Sequence, residues 1–468
     1  MRSLMRNPRF WLAAQMLAIL ILVGAAGLLT VRERPDSATY VEASELPLGG
    51  MLRGIRTIGY PLILRTVRPL SPDFGIMPLV HLGVHFLAVF AFDFGLRRFG
   101  ASAWVAFAAA SGLLYTILND AAVSQLLTDC TGMAAAAVAI SFLLWVSASP
   151  GRPLPWIGLT VGVACTYHVR PAYLFLIPLV PCLGLVLLRI RTGSKGEPFP
   201  WLKHGLGLCC VSIVPYLAFC LLRLAVVGHF GLVSFAGANL MGIVPELVDR
   251  KTAETQLPEC WRPLALEIVR RRESLGMQTP FQKGGVDIHQ WENNFNVNFY
   301  EVVAPVSRRL YGDDPVLLNR KYTGFSRAVI RVRKREYLRF VFYNLRNGLG
   351  RFLQCGWILQ ALGLTAVLLF AFRVLLCPRR LPEVNQRDDL PACSVMHALL
   401  LLGLAFALSK MLLVGLVEMF VPRYVYAAGV FLPSIFSLLI LRELGKMRTA
   451  LRLSCGHGVH GEHGGHGG

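Results

Sequence analysis

The sequence predicts an all-α membrane protein with about ten transmembrane helices. Of its 468 residues, 54% are hydrophobic and only 16% are charged, which is too apolar for a soluble protein of this size. The mean hydropathy of +0.53 agrees with this composition. The apolar residues are also gathered in runs long enough to cross a bilayer, which indicates a multi-pass protein.

Ten apolar runs follow one another along the chain, and most approach the roughly 20 residues that a spanning helix needs. The fifth run, 155–169, is short and is expected to be a bent or partial span. The first run is long and lacks a small-residue cleavage site before Arg32, so we expect an anchor rather than a cleaved signal peptide. The expected spans are 10–31, 75–95, 101–118, 127–147, 155–169, 171–190, 203–228, 352–377, 394–417 and 420–441.

Lys and Arg are concentrated in alternate connections between these runs, including the N-terminus, residues 189–203 and the C-terminal region. Because cytoplasmic loops retain positive charge, we expect a multi-pass protein of the cell (inner) membrane with both termini in the cytoplasm. The loop after the first run and the long 229–351 segment are then external. The net charge of +20 is divided among membrane-flanking segments, so we expect anionic membrane lipids rather than nucleic acid as partners.

The 229–351 segment is long enough for a small domain, and its end, 328–352, interleaves apolar and basic residues. That pattern predicts a helix lying in the membrane interface. The C-terminal tail has four His at a period of three among Gly; incidental metal affinity is expected there, but no function. The predicted regions are 1–228 with a first external loop at 32–74, the external segment 229–351, the C-terminal spans 352–445 and the cytoplasmic tail 446–468.

The polar interval after the first run carries the clearest chemical pattern. Asp36 stands within about five positions of the expected end of the first span, close to the headgroup plane where a lipid phosphate would sit. Tyr40 follows, and residues 56–62 read Arg-Thr-Ile-Gly-Tyr-Pro-Leu, a basic and aromatic motif whose Gly-Tyr-Pro separates two short amphipathic stretches. A carboxylate and a cation therefore share one loop at one membrane face.

This pattern of Asp36, Tyr40 and the 56–62 motif resembles the first external loop of the GT-C membrane glycosyltransferases. The similarity is greatest to the branch that holds protein O-mannosyltransferases and the lipid A aminoarabinose transferase. It implies a GT-C-like fold, a sugar donor linked to polyprenyl phosphate, and transfer to a lipid, glycan or protein acceptor at the external face. It also implies that Asp36 is the catalytic base and that Tyr40, Arg56 and Tyr60 help to bind the donor.

Four further ionisable residues are expected at the same face and are predicted to bind the donor. Asp129 opens the fourth run; an acid there resembles the family pattern, but a helix N-terminus favours an acid whatever the function. Arg170 and Arg423 lie in outer turns where positive charge is disfavoured, and each offers a guanidinium for phosphate, with snorkelling to headgroups as the alternative for Arg170. Lys410 lies about 10 Å inside the ninth run, where an unpaired ammonium is costly.

Sugar transfer from a polyprenyl phosphate needs a base for the acceptor hydroxyl and cations for the leaving phosphate. Asp36 fits the first role, and the basic residues named above fit the second. The alternative for Asp36 is a helix cap following Pro35. The sequence leaves the cofactor open: metal-independent transfer is favoured, and a divalent cation is the alternative.

A transporter or flippase for a lipid-linked or small anionic substrate is the alternative function, favoured by the intramembrane residues His81, His85, Asp93 and Lys410. His81 and His85 share a helix face, but Asp93 is about 18 Å further along, so the three cannot ligate one metal. No internal repeat supports a transporter. A non-catalytic scaffold presenting the 229–351 segment is a third reading. Within that segment, the aromatic and amide residues at 291–296 are candidates for sugar contact.

Overall fold

A computed structural model describes residues 7–192, 200–282, 285–354, 356–376 and 390–456. These residues form α-helices joined by short 3-10 and π-helical segments. The described strands, β1 (Phe281–Gln282) and β2 (Gly285–Val286), are an antiparallel pair of two residues each. The expected all-α class is therefore confirmed.

The first half of the chain contains one long N-terminal helix, three short helices in the first loop, and six further helices of which most are apolar. They are α1 (Pro8–Ala25), α2 (Ser37–Glu45), α3 (Leu48–Arg53), α4 (Gly59–Val67), α5 (Met77–Phe99), α6 (Ala103–Tyr115), α7 (Asp129–Ala148), α8 (Pro153–Val169), α9 (Leu176–Thr192) and α10 (Trp201–Val227).

The second half begins with the helices of the 229–351 segment and returns to long apolar helices. They are α11 (Ala236–Leu240), α12 (Arg262–Ser274), α13 (Ile288–Val297), α14 (Ala304–Tyr311), α15 (Pro315–Val332), α16 (Lys334–Gln354), α17 (Trp357–Leu376), α18 (Leu390–Val417), α19 (Pro422–Ala428) and α20 (Leu432–Gly456). A π-helical segment, Asn298–Val303, joins α13 to α14.

Among the described residues, seven helices are long and apolar enough to cross a membrane, or eight if α19 and α20 form one span bent by 51°. The expected count of about ten is therefore not confirmed. The runs at 101–118 and 155–169 give helices of 13 and 17 residues. Each is short because a polar turn or a proline interrupts the apolar run.

The apolar helices pack around one continuous core in which α5, α7 and α8 are central. Small residues bring some of these helices into backbone contact. At Gly112 of α6, an added Cβ would lie 2.5 Å from the backbone of Pro433 in α20. Only glycine fits at this crossing, which ties the C-terminal helix to the N-terminal half of the chain.

The first loop is fastened to the helices at three places. Arg32 pairs with the backbone ahead of α7, its amide donating to the Ser124 carbonyl at 2.8 Å. Gly59 begins α4 against the end of α8, where an added Cβ would lie 2.6 Å from the His168 carbonyl oxygen. Arg223 of α10 is buried and donates to the Leu52 carbonyl at 2.8 Å. These contacts fix the loop that carries Asp36.

Arg223 also joins the first loop to the 229–351 segment. Its remaining guanidinium nitrogens donate to the Gly231 carbonyl and, at 2.8 Å, to the Ser234 hydroxyl. All three acceptors of this buried guanidinium are neutral, and they come from two segments separated by most of the N-terminal half. The two segments consequently lie together at one end of the apolar helices.

The 229–351 segment has its own core, built on a buried carboxylate. Glu246 forms an ion pair with Arg272 and accepts hydrogen bonds from the side-chain amides of Asn294 and Asn298, each at 2.8 Å. Trp291 is fully buried against Phe340 rather than open to a ligand. The suggested sugar contact is therefore wrong for Trp291 and Asn294, which are interior residues.

The amphipathic end of this segment is two helices rather than one, because the chain breaks at Arg333 between α15 and α16. On α16, Leu338, Phe342 and Leu349 are more than half exposed and fall on one helix face. This apolar stripe suits a helix lying against lipid, as the sequence pattern predicts.

Candidate functional site

Asp36 is the centre of an ion-pair cluster at the end of the apolar helices. Its Oδ1 accepts a hydrogen bond from Arg56 at 2.8 Å, and its Oδ2 accepts one from Arg423 at 3.0 Å. The side chain is 27% exposed, so water reaches it. Asp36 directly precedes α2, but its side chain makes no capping hydrogen bond to that helix. Both carboxylate oxygens are instead directed at guanidinium groups.

Arg56 is held in place by the first loop itself. Its Nε donates to the Thr39 hydroxyl at 2.8 Å, and its guanidinium lies 4.4 Å from the centre of the Tyr40 ring. Phe235 of the 229–351 segment covers the other side, with its ring centre 5.6 Å from the guanidinium carbon. Arg56 is thus fixed by aromatic and hydroxyl groups before any ligand binds.

The two guanidiniums decide the ionisation of Asp36. Burial alone would raise the pKa of Asp36, but the charges and hydrogen bonds of Arg56 and Arg423 outweigh burial and hold the pKa below its ordinary value. Asp36 is consequently ionised at neutral pH. Asp36 becomes a stronger base only when Arg56 or Arg423 moves away from it.

A second, more deeply buried cluster joins three of the other predicted site residues. Arg170 and Asp129 form an ion pair with side chains 9% and 8% exposed, and Arg170 also donates to the Thr128 hydroxyl at 3.4 Å. Lys410 is fully buried, with its Nζ 4.0 Å from the centre of the Tyr173 ring. Within the described part of the chain, that ammonium has no hydrogen-bond acceptor. Arg170 therefore does not snorkel to headgroups.

Tyr424 connects the two clusters. The guanidinium carbons of Arg170 and Arg423 lie 5.1 and 5.2 Å from the centre of its ring. Its hydroxyl accepts a hydrogen bond from Arg423 at 3.4 Å and donates one to Glu418. Two cations that repel each other are thereby held close to one aromatic ring, as in a site prepared for an anion.

Tyr60 differs from the other predicted site residues because it faces the interior. It is fully buried, and its hydroxyl lies 3.3 Å from Nε2 of His81, whose Nδ1 is 2.9 Å from the Val123 carbonyl oxygen. The Tyr60 ring packs edge-on against Tyr40 at 5.3 Å. Tyr60 therefore supports Tyr40 by packing against its ring and does not line the Asp36 cluster itself.

The intramembrane histidines and Asp93 have structural partners. His85 lies 3.2 Å from the Leu114 carbonyl oxygen. Asp93 is paired with Arg97 at 2.9 Å and with Arg9 at 3.4 Å. These contacts give each of the three residues a partner within the protein.

Residues missed by sequence reasoning come from the second half of the chain. Glu418 and Tyr424 belong to the turn between α18 and α19 and the start of α19. Tyr300 belongs to the π-helical segment, is 58% exposed, and packs on Phe299, which in turn contacts Phe235. Burial raises the pKa of Tyr300, and the nearby charge of Asp36 raises it further. Tyr300 is therefore an exposed residue near enough to the Asp36 cluster to be affected by its charge.

Two adjoining clefts open from the ion pairs. The first is lined by Asp129 and Arg423. The second is lined by apolar groups, among them Phe352, Leu359 and Val425. The residues common to both are Thr116, Asn119 and Tyr426. Charged side chains therefore border the first cleft, and apolar side chains border the second.

Within the described ranges, no group of three or more His, Cys, Asp or Glu side chains is arranged to hold a metal ion. The His-rich tail after residue 456 and residues 193–199 of the 189–203 loop lie outside the described residues. No protein family, curated protein or solved structure matches this chain, so the comparisons add nothing to the geometry.

Proposed function

We propose that this protein is an integral membrane glycosyltransferase that moves a sugar from a polyprenyl-phosphate donor to a lipid, glycan or protein acceptor. The observation that carries the proposal is a group of buried and partly buried cations beside an ionised carboxylate. The cations are Arg56, Arg170, Lys410 and Arg423, and the neighbouring carboxylates are Asp36, Asp129 and Glu418.

Lys410 is the part of this cluster that most directly supports an anionic substrate. A buried ammonium without an acceptor is costly in a membrane protein, and such residues usually mark substrate sites. Arg170 and Arg423 add two guanidiniums beside Tyr424, of which only Arg170 has a fully buried carboxylate partner. A phosphate bound here would satisfy Lys410 and reduce the repulsion between the guanidiniums.

The proposed roles follow from this arrangement. The donor phosphate is bound by Arg170, Lys410 and Arg423, which also stabilise the charge that develops as the bond from the sugar to the phosphate oxygen breaks. An incoming phosphate competes with Asp36 for the guanidiniums and frees a carboxylate oxygen. Asp36 then accepts the proton of the acceptor hydroxyl as its oxygen attacks the sugar carbon. The products are the glycosylated acceptor and polyprenyl phosphate.

The residues around the two clefts support a lipid-linked donor rather than a free sugar phosphate. Arg423 borders the first cleft and suits a phosphate, and Phe352, Leu359 and Val425 border the second and suit a hydrocarbon chain. A water-soluble donor would not need these apolar residues. Transfer at the external membrane face is part of the same proposal, and it agrees with the positions of Lys and Arg along the chain.

The test is sugar transfer in proteoliposomes that contain polyprenyl-phosphate sugars, with release of polyprenyl phosphate as the readout. We expect the Lys410→Met protein to bind donor at least about tenfold more weakly, which corresponds to about 1.4 kcal/mol. Lys321→Met is the matched control, because Lys321 also lies against an aromatic ring, that of Tyr311 at 4.9 Å, but in the 229–351 segment. Absence of turnover with every donor in wild-type vesicles would refute the proposal.

A flippase for a lipid-linked anion would use the same cations, so the same vesicles separate the two functions. A flippase moves the intact lipid between leaflets and leaves the bond from sugar to phosphate unbroken. The engagement of both Asp36 oxygens by arginines favours the transferase, because a carboxylate at the phosphate site opposes anion binding unless it takes part in the chemistry.

A further inference from the structure

Glu418 is the carboxylate of the cluster that no cation holds. Its Oε1 accepts a hydrogen bond from the Tyr424 hydroxyl, and in the described part of the chain it forms no ion pair. Asp36 and Asp129, by contrast, are both paired with arginines. A partly buried carboxylate without an ion pair is costly when ionised, so it needs a separate explanation.

The position of Glu418 is fixed from outside the apolar helices. Asn344 of α16 is fully buried and donates to the Glu418 carbonyl at 2.8 Å, while its Oδ1 accepts from the Phe420 amide at 3.3 Å. The turn between α18 and α19 is thereby bound at two places. These bonds fix the backbone from which the Glu418 side chain reaches Tyr424.

Several charged and titratable groups face Glu418 from different elements. Tyr424 and Arg423 come from α19, Arg170 follows α8, Asp36 precedes α2, and Tyr300 stands on the π-helical segment. Burial raises the pKa of Glu418 above its ordinary value. The Tyr424 hydrogen bond and the two guanidiniums offset part of that effect, and the Asp36 charge adds to it.

We propose that Glu418 takes up a proton when an anionic phosphodiester binds beside Arg170 and Arg423, so that substrate binding and protonation are coupled. The inference deepens the proposed function and rests on its phosphate site. A bound phosphodiester brings a full negative charge to the same guanidiniums that now stabilise the negative charge of Glu418. Protonation of Glu418 removes the repulsion between its carboxylate and the phosphodiester, and Tyr424 remains hydrogen-bonded to the neutral acid.

The sign of the resulting pH dependence follows from linkage. Because the bound phosphodiester disfavours ionised Glu418, the pKa of Glu418 is higher in the complex than in the free protein. Affinity therefore increases as pH falls through the pKa of the complex, and it levels off below the pKa of the free protein. The largest slope is about a factor of ten in affinity per pH unit.

The experiment uses the full chain in detergent and farnesyl methyl phosphate as the probe, because a phosphodiester does not itself titrate near neutral pH. Calorimetric titrations in two buffers of different ionisation enthalpy give the number of protons taken up, from about pH 5 to about pH 8. We expect uptake of up to one proton with the wild-type protein. Glu418→Gln should bind the probe with no uptake and with affinity independent of pH.

Two controls locate the proton. Asp36→Asn should retain uptake but shift its half-maximal pH downward, because the Asp36 charge contributes to the raised pKa of Glu418. Glu292→Gln should also retain it, since Glu292 is paired with Arg351 in the 229–351 segment. Tyr424→Phe, which removes the hydrogen bond but leaves Glu418 in place, should change the pH of half-maximal uptake without abolishing it.

Binding without proton uptake in the wild type, or uptake that persists in Glu418→Gln, would overturn the inference. These outcomes differ from failure of the proposed function. A protein that takes up the proton but transfers no sugar keeps the inference and loses the transferase assignment. A protein that transfers sugar without proton uptake keeps the transferase assignment and loses the inference.

Discussion

Asp36→Asn is the substitution that separates catalysis from structure most clearly. The change keeps the size of the side chain but removes the negative charge that receives hydrogen bonds of 2.8 and 3.0 Å from two guanidiniums. A hydrogen bond to a charged group contributes about 1.5 to 3 kcal/mol, and partial exposure reduces this, so we expect a stability loss of about 1 to 2 kcal/mol. Loss of the proton acceptor should lower turnover by about 10² or more while donor binding persists.

Asp93, near the C-terminal end of α5, is a matched control. Asp93 is also held by two arginines, Arg97 at 2.9 Å and Arg9 at 3.4 Å, with a side chain only 2% exposed. Asp93→Asn should lose at least as much stability as Asp36→Asn and should retain turnover per folded molecule. The assay is sugar transfer in proteoliposomes with folded protein quantified by gel filtration. Near-normal turnover of Asp36→Asn would refute the catalytic role.

Three further predictions concern the phosphate site, the membrane topology and the C-terminal tail. Replacement of Arg170 or Arg423 by Ala should weaken donor binding about tenfold or more, and Lys should restore it only in part because it lacks the planar fork; full rescue by Lys in a binding assay would argue against bidentate contact. In an otherwise cysteine-free protein, exposed Cys260 should react with an impermeant reagent in intact cells and a cysteine at residue 195 should not; labelling at 195 would overturn the topology. Removal of 456–468 should leave insertion and turnover unchanged, and loss of turnover at normal expression would show that the tail has a function.

Contacts between residues close in sequence were within reach of sequence reasoning. Asp36 and Arg56 are twenty positions apart in one loop, and their motif indicated that they act together. The contact of Arg423 with Asp36 joins residues 387 positions apart. Topology could predict a shared membrane face for them, but the close packing of α6 and α20 at Gly112 determines that they meet.

Other features had no signal in the sequence. Glu418 lies in an ordinary turn, and its place beside Tyr424 depends on Asn344 of another helix. The motif around Trp291 suggested a carbohydrate surface because composition does not distinguish a buried aromatic ring from an exposed one. The expected span count of about ten is not confirmed, because some apolar runs contain turns, as the run that includes Ala103–Tyr115 does.

The guanidinium of Arg223 has a consequence for how substrates enter. It joins two segments, because it donates to the Leu52 carbonyl of the first loop and to the Ser234 hydroxyl of the 229–351 segment at the same time. Separating either segment from Arg223 would remove hydrogen-bond acceptors from a buried cation, which is costly. The first loop and the 229–351 segment should therefore move together. Any opening toward the donor is then expected away from Arg223 rather than between these two segments.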